Sequence, residues 1–235
     1  MEKEYAKQLL EKTKNDYNLI AKEYARTRAF IQEDIKSLAE LAKKGERILD
    51  SGCANGRLFG ILKEKGVDYY GVDFSEELIE IAKKNWPEGK FRVEDCLSLS
   101  FPSNFFDKVY SISVLHHIPS REFRARYLKE IKRVLKPKGI LTLRVWDFWK
   151  RKEGLKLLLK YSFLKLIGKS NLDFFDVFVP WKNQEGKTIV ERYFHCFRKG
   201  ELGRLVKKVG FEIKKSWREG KDPRTNIYLL AEKPL

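Results

Sequence analysis

The spacing of apolar and polar positions divides the chain into amphipathic helices and short buried runs. Tyr17, Ile20, Ala21 and Tyr24 recur at intervals of three and four, the period of one helix face. Phe30, Ile31, Ile35, Leu38, Leu41 and Ala42 make a second stripe that stops at Gly45. Residues 1 to 44 are thus expected to form two helices, either covering a sheet edge or acting as a lid over a ligand. Compact apolar runs at 47–49, 67–73, 90–96, 105–118 and 139–145 then alternate with helical patterns, the longest at 121–135. Strand and helix in regular alternation predict an α/β protein with a doubly wound, mostly parallel sheet. Runs at 211–217 and 226–232 add a closing antiparallel hairpin, for seven strands in all.

Two segments break that rhythm. Residues 146 to 171 interleave Lys150, Lys152, Lys156, Lys160, Lys165 and Lys169 with Leu155, Leu157, Leu158, Leu159, Phe163 and Ile167. This basic amphipathic stretch suits RNA, a membrane surface or burial against the sheet. Residues 173 to 196 are expected to be an irregular excursion, in which aromatics beside Arg192 and His195 suit base stacking and phosphate contact. A single domain is expected, divided into an N-terminal helical lid (1–45), a ligand-binding core (46–146), a basic and aromatic insertion (147–197) and a closing helix and hairpin (198–235).

The chemistry concentrates where the first buried run ends. Asp50 is followed by a glycine turn, Gly52-Cys53-Ala54-Asn55-Gly56, and then by a helix start at Leu58. Strand, glycine turn and helix in this order hold nucleotide-like ligands at the carboxyl ends of open α/β sheets. The dinucleotide spacing is absent, and so is the Lys-Ser/Thr pair of an ATP-type phosphate loop. The second run ends in Asp73, 23 positions after Asp50, where a carboxylate can accept from both hydroxyls of a ribose. Ser75 reads as the N-cap of the next helix. Asp95 closes the third run, either near an adenine edge or as a turn acid.

Composition sharpens the partner and the compartment. Lys and Arg number 49 against 33 Asp and Glu, a formal net charge of +16. Such an excess favours a polyanion; a thermophile surface is the other reading, although those usually balance their signs. Cys53, Cys96 and Cys196 are far apart, so neither a disulfide framework nor a zinc site follows, and a reducing cytoplasm is expected. No apolar run approaches the ~20 residues that cross a bilayer.

The set Asp50-x-Gly52-x-Ala54-x-Gly56, Asp73 and Asp95 resembles the class I S-adenosylmethionine (AdoMet) methyltransferases over residues 46 to 146. That family has a Rossmann-like sheet with the same closing hairpin, and it usually has Gly where Ala54 stands. One methyl there is tolerable at a negative φ. A narrower resemblance spans nearly the whole chain. Asp16-Tyr17-x-x-Ile20-Ala21-x-x-Tyr24-x-x-Thr27-Arg28, His116-His117, Val179-Pro180-Trp181 and Arg192-Tyr193-Phe194-His195-x-Phe197-Arg198-x-Gly200-Glu201-Leu202 are similar to the tRNA methyltransferases that esterify wobble 5-carboxymethyluridine. That group includes the methyltransferase domain of the human AlkB-type homologue. Phe194 departs from a common Tyr.

The resemblance implies AdoMet as cofactor, S-adenosyl-L-homocysteine as its product, and no metal. It implies tRNA, through its anticodon stem-loop, as substrate, 5-methoxycarbonylmethyluridine as product, and a small zinc-binding activator protein as partner, with no membrane. Related quinone and lipid methyltransferases keep a small-molecule alternative open. The expected cofactor residues are Tyr17, Tyr24, Asp50, Gly52, Cys53, Asn55, Gly56, Asp73, Phe74, Asp95, Cys96 and Ser113. Arg28, Arg192 and His195 are expected to hold the carboxymethyl group or a neighbouring phosphate. His116 is expected at the reacting edge, with the choice between it and His117 open.

Overall fold

The computed structural model describes residues 1–28, 30, 32–198, 200–220 and 225–235. Ile31, counted in the second apolar stripe, and Lys199, before the last helix, lie outside the described residues. The elements run α1 (Lys3–Thr27), α2 (Glu33–Ala39), β1 (Arg47–Ser51), α3 (Phe59–Leu62), β2 (Asp68–Asp73), α4 (Glu76–Asn85), β3 (Lys90–Val93), β4 (Phe106–Ile112), α5 (Arg121–Val134), β5 (Leu135–Trp146), α6 (Lys152–Leu166), β6 (Asp176–Lys182), β7 (Thr188–His195), α7 (Glu201–Lys208), β8 (Glu212–Glu219) and β9 (Asn226–Glu232).

Seven strands form one sheet in the order β3-β2-β1-β4-β5-β9-β8. β1 pairs in parallel with both β2 and β4, so the winding reverses there, and a crevice opens beyond the carboxyl ends of those strands. β9 runs antiparallel to β5 and to β8, as the closing hairpin requires. Helices cover both faces, which is why Ile48, Leu49, Val109, Leu141 and Leu143 are all buried. Ser75 caps α4, its Oγ accepting from the Leu78 N–H at 3.2 Å. Ser120 does the same for α5 through the Phe123 N–H at 3.1 Å.

The region expected to be irregular is ordered. β6 and β7 form a separate antiparallel hairpin, pairing Asp176 with His195 and Val179 with Arg192. Its inner side packs on Phe148 and Leu158 through Val177, Phe194 and Cys196. The pattern concealed this because Val177 to Trp181 are apolar without alternation and include Pro180. α6 also departs from simple burial: only Gly154 and Leu158 are fully covered, whereas Leu159, Phe163 and Leu166 are 73%, 60% and 74% exposed.

Candidate active site

A cavity of 410 Å³ occupies the crevice at the β1/β4 reversal, well within the range of small-molecule sites. Its floor is the turn after β1, where Gly52 has φ +81°. A Cβ there would lie 2.2 Å from Cγ2 of Val114, so only glycine satisfies both the conformation and the space. Ala54 also has positive φ, +50°, contrary to the negative value expected for a tolerated alanine. The geometry is imposed by its neighbour: the Ala54 N–H must point at Asp73, whose Oδ2 accepts it at 2.9 Å. The other oxygen of Asp73 accepts from the Ser75 N–H at 3.0 Å. Burial pushes this carboxyl up to about 6, against the pull of those backbone donors.

Tyr17, Tyr24, Gly52, Asp73, Phe74, Asp95, Cys96 and Ser113 all line this cavity. Four other expected cofactor residues do not. Asp50 is buried under the turn, accepting from the Tyr69 hydroxyl at 2.8 Å. Burial pushes it up to about 7, offset in part by Tyr69 and by the charge of Arg57. The Cys53 thiol packs over Gly71, and Gly56 is pressed against Phe91 and Trp86. Asn55 turns into a different cleft. These residues shape the loop; they do not face the space it encloses.

The rim is built by α1 and β7. The Tyr17 hydroxyl lies 2.9 Å from Nε2 of His117. Nδ1 of His117 lies 3.0 Å from the Tyr193 carbonyl, an acceptor only. Nδ1 therefore carries the proton, and Nε2 accepts from Tyr17. Burial, then the nearby Arg192 charge, pushes His117 down to about 3, so the ring is neutral. Burial also pushes Tyr17 up to about 12, with Arg192 pulling the other way.

Arg192 is 5% exposed. Its Nη1 reaches the Tyr17 hydroxyl at 3.5 Å, and its Nε has no acceptor among the described residues. Asp16, close enough to feel its charge, is held by Lys12 at 2.6 Å. The guanidinium lies over Trp181 at 4.8 Å, and Arg28 lies over the same indole at 5.8 Å. Tyr24 completes the rim, its ring 5.9 Å from that of Trp181.

Two expected residues stand apart. His195 is buried, with Nδ1 2.6 Å from Asp176 and Nε2 3.0 Å from Glu201. Both ring nitrogens are engaged in joining β7 to β6 and α7, so in this arrangement neither is left to hold a substrate. His116 is fully buried, stacks on Phe194 and accepts from the Trp146 N–H at 3.2 Å. His117, one residue on, is the histidine that lines the cavity. Adjacent residues on a short turn point to different sides, and the sequence carried no sign of which side was in. Trp181 as a shared platform was equally hidden, because it depends on the hairpin.

The strand order, the reversal at β1/β4 and a carboxylate at the end of β2 that lines the crevice define a class I methyltransferase fold. A methyltransferase domain model matches residues 49–143. A putative methyltransferase of Encephalitozoon cuniculi is 33% identical over 71% of this chain and 70% of its own length. A tRNA (carboxymethyluridine(34)-5-O)-methyltransferase of Schizosaccharomyces pombe is 29% identical over 92% of this chain and 94% of its own. A solved SAM-dependent methyltransferase from Methanosarcina mazei superposes with a TM-score of 0.72 at 25% identity, over 85% and 97% of the two chains. The Haloferax volcanii complex of the Trm112 methyltransferase activator with a putative methyltransferase shares the fold, with a TM-score of 0.65 at 14% identity over 93% and 98%. The chain spans only 26–35% of the length of four further relatives, a tRNA (carboxymethyluridine(34)-5-O)-methyltransferase of Arabidopsis thaliana and the probable tRNA methyltransferase 9B of three mammals. The chain belongs to the methyltransferase family.

Proposed function

We propose that this protein transfers a methyl group from AdoMet to the carboxylate of 5-carboxymethyluridine at the tRNA wobble position, giving the methyl ester. The observation that carries the reading is Arg192, a buried guanidinium without an ion-pair partner among the described residues, which reaches the hydroxyl of Tyr17 in the wall of a nucleoside-sized cavity. A buried charge is costly unless paired, and a planar carboxylate is the partner its fork best fits.

The cavity suits the cofactor. Each oxygen of Asp73 accepts from a backbone N–H, of Ala54 or of Ser75, and the carboxylate has further lone pairs for ribose hydroxyls. Asp95 and Cys96 line the same cavity for the adenine, and Gly52 admits close approach at the other end. Bound there, AdoMet supplies an electrophilic methyl on a sulfonium. Everything else is alignment. A carboxylate is already a nucleophile at neutral pH, so the neutral His117 is not required as a base. Arg192 orients the carboxylate, Tyr17 keeps Arg192 and His117 in register, and Tyr24 with Trp181 shields the mouth from water. Positioning of this type supplies roughly 7–11 kcal/mol.

The Schizosaccharomyces pombe relative and the net charge of +16 support the substrate, and the Haloferax activator complex supports the partner. A tRNA anticodon stem-loop is the polyanion, and a small zinc-binding activator is the expected partner. The three cysteines are free, which suits a cytoplasmic enzyme. No helix among the described residues is long and apolar enough to cross a membrane.

The test is mass spectrometry of nucleosides from tRNA carrying carboxymethyluridine, incubated with AdoMet, with and without a candidate activator. The ester should appear with the wild-type chain. Arg192→Gln should lower kcat/KM about 100-fold, roughly 3 kcal/mol, for loss of a charged hydrogen-bonded partner, with AdoMet affinity kept. Ester formation at the wild-type rate by that variant would remove Arg192 from the site.

A further inference from the structure

Beside the cofactor cavity lies a second cleft of 460 Å³, lined by Arg28, Asn55, Arg57 and Trp86 among others. The two spaces are separated by a single turn of chain. Ala54 and Tyr24 line the cavity, and Asn55 and Arg28 line the cleft. We infer that this cleft binds a phosphodiester of the nucleic-acid substrate, one nucleotide from the acceptor base, with Arg57 and Arg28 on the phosphate and Asn55 on the ribose 2′-hydroxyl.

Three observations carry this. Arg57 forms no hydrogen bond or ion pair among the described residues, and its Nη1 is buried without an acceptor. Asp50, under the turn, is near enough for the Arg57 charge to pull its carboxyl down, but it hydrogen-bonds to Tyr69 and makes no ion pair with Arg57 among the described residues. Among the described residues Arg28 has no carboxylate either; its hydrogen bonds there go to the Thr27 carbonyl and hydroxyl, at 3.3 and 3.2 Å. Burial pulls Arg28 down from its usual value, and repulsion from Arg57 and Arg192 acts the same way against the nearby Tyr24. Two guanidiniums gathered in one cleft, with no carboxylate hydrogen-bonded to either among the described residues, await an anion. Arg26, also in the cleft wall, is already spent on Glu23 at 2.6 Å.

Asn55 narrows the anion. It is 4% exposed, lines the cleft, and its Oδ1 has no donor among the described residues. A bare phosphate ester offers no donor to an amide oxygen, whereas a ribonucleotide offers its 2′-hydroxyl. The cleft floor is the Trp86 ring, which a Cβ at Gly60 would meet at 2.8 Å, so the glycine keeps that surface open. Trp181 ties cleft to mouth, since it carries both Arg28 and Arg192. One strand could thus lie across the rim, its base at the cavity and its neighbouring phosphate in the cleft.

The inference rests on the tRNA reading, and the test separates the two. Fluorescence anisotropy with an anticodon stem-loop oligoribonucleotide, over a salt series, compares the wild-type chain with Arg57→Gln and Arg57→Lys. Arg57→Gln should bind about tenfold more weakly, and the slope of log K against log salt should fall by about one. Arg57→Lys should restore the slope. The AdoMet Kd should stay within about twofold in both. Unchanged slope and affinity in Arg57→Gln would overturn the cleft and leave the tRNA reading intact. A wild-type chain that does not bind the stem-loop would overturn both. If Arg57→Gln loses AdoMet binding, Arg28→Gln at the end of α1 carries the test, with the same loss of slope expected and an unchanged slope refuting it. A free ribonucleoside monophosphate that displaces the stem-loop at equal concentration would overturn the assignment to RNA.

Discussion

The Tyr17 hydroxyl donates to Nε2 of His117 across 2.9 Å, joining the first helix to the turn after β4. The hydroxyl oxygen also accepts from Arg192, but among the described residues Nε2 of His117 has no other donor. Tyr17→Phe should leave the Nε2 lone pair without a donor and cost about 1–3 kcal/mol. Urea unfolding of the two chains checks this, and equal midpoints would show that water or a neighbour replaces the hydroxyl.

His117 also links stability to acid. Its folded value of about 3 lies below the ordinary 6.5. As pH falls below 6.5 the unfolded chain takes up the proton and the folded chain does not. The stability tied to the neutral ring is complete above 6.5 and drains away toward 3. His117→Gln should flatten the fall in unfolding free energy across that window by up to one proton.

Asp73 has the opposite displacement, about 6 against an ordinary 3.8. The folded chain protonates first, so burying this carboxyl costs stability as pH rises from 3.8 through 6. In the proposed cofactor site the ionised form is the one able to accept from two ribose hydroxyls. AdoMet affinity should therefore fall about tenfold between pH 7 and pH 5. Calorimetry should find the effect in the wild-type chain and a weak, pH-independent affinity in Asp73→Asn.

Ala54 sits at φ +50°, where an L-residue with a Cβ is strained. Ala54→Gly should raise stability by about 1 kcal/mol, the relief of strain exceeding the added freedom of the unfolded chain. Its N–H bond to Asp73 remains. A melting temperature unchanged or lowered would mean that the methyl contributes more by packing on Tyr17 and Phe74 than it costs.

His195 holds two carboxyl groups at once. Burial, the largest single influence, would raise Glu201; the His195 hydrogen bond and charge, with the Arg198 N–H and the Arg124 charge, together outweigh it and keep Glu201 at about 2. That contribution is present above the ordinary 4.5 and is lost as pH falls through 2. His195→Gln should cost about 3 kcal/mol, because the buried Asp176 loses its imidazole partner and keeps the Asp173 N–H and Tyr193. AdoMet affinity should be unaffected; a variant of full stability would return His195 to consideration as a substrate contact.

What was legible in the sequence is what short-range rules govern. Strand ends, glycine turns and N-caps are local, so β1, Gly52, Asp73 and Ser75 could be placed by spacing alone. The hairpin at β6 and β7 could not. Its strands are held by Asp176 and Val177 meeting His195 and Phe194, and partners that far apart leave no periodic trace. The consequences propagated. Arg192, which reaches the mouth, and His195, which does not, are three residues apart on the same strand. Asn55 shows the same limit within a recognised motif. A loop has two sides, and composition does not say which one a given side chain takes.

A pair of strands is barely stable by itself, and the β6–β7 ribbon leans on Phe148, Leu158 and the stack of Phe194 on Trp146. Warming would free that ribbon while the seven-stranded body still stood. The enzyme should thus go quiet at a lower temperature than the one at which it melts, and recover its turnover on cooling.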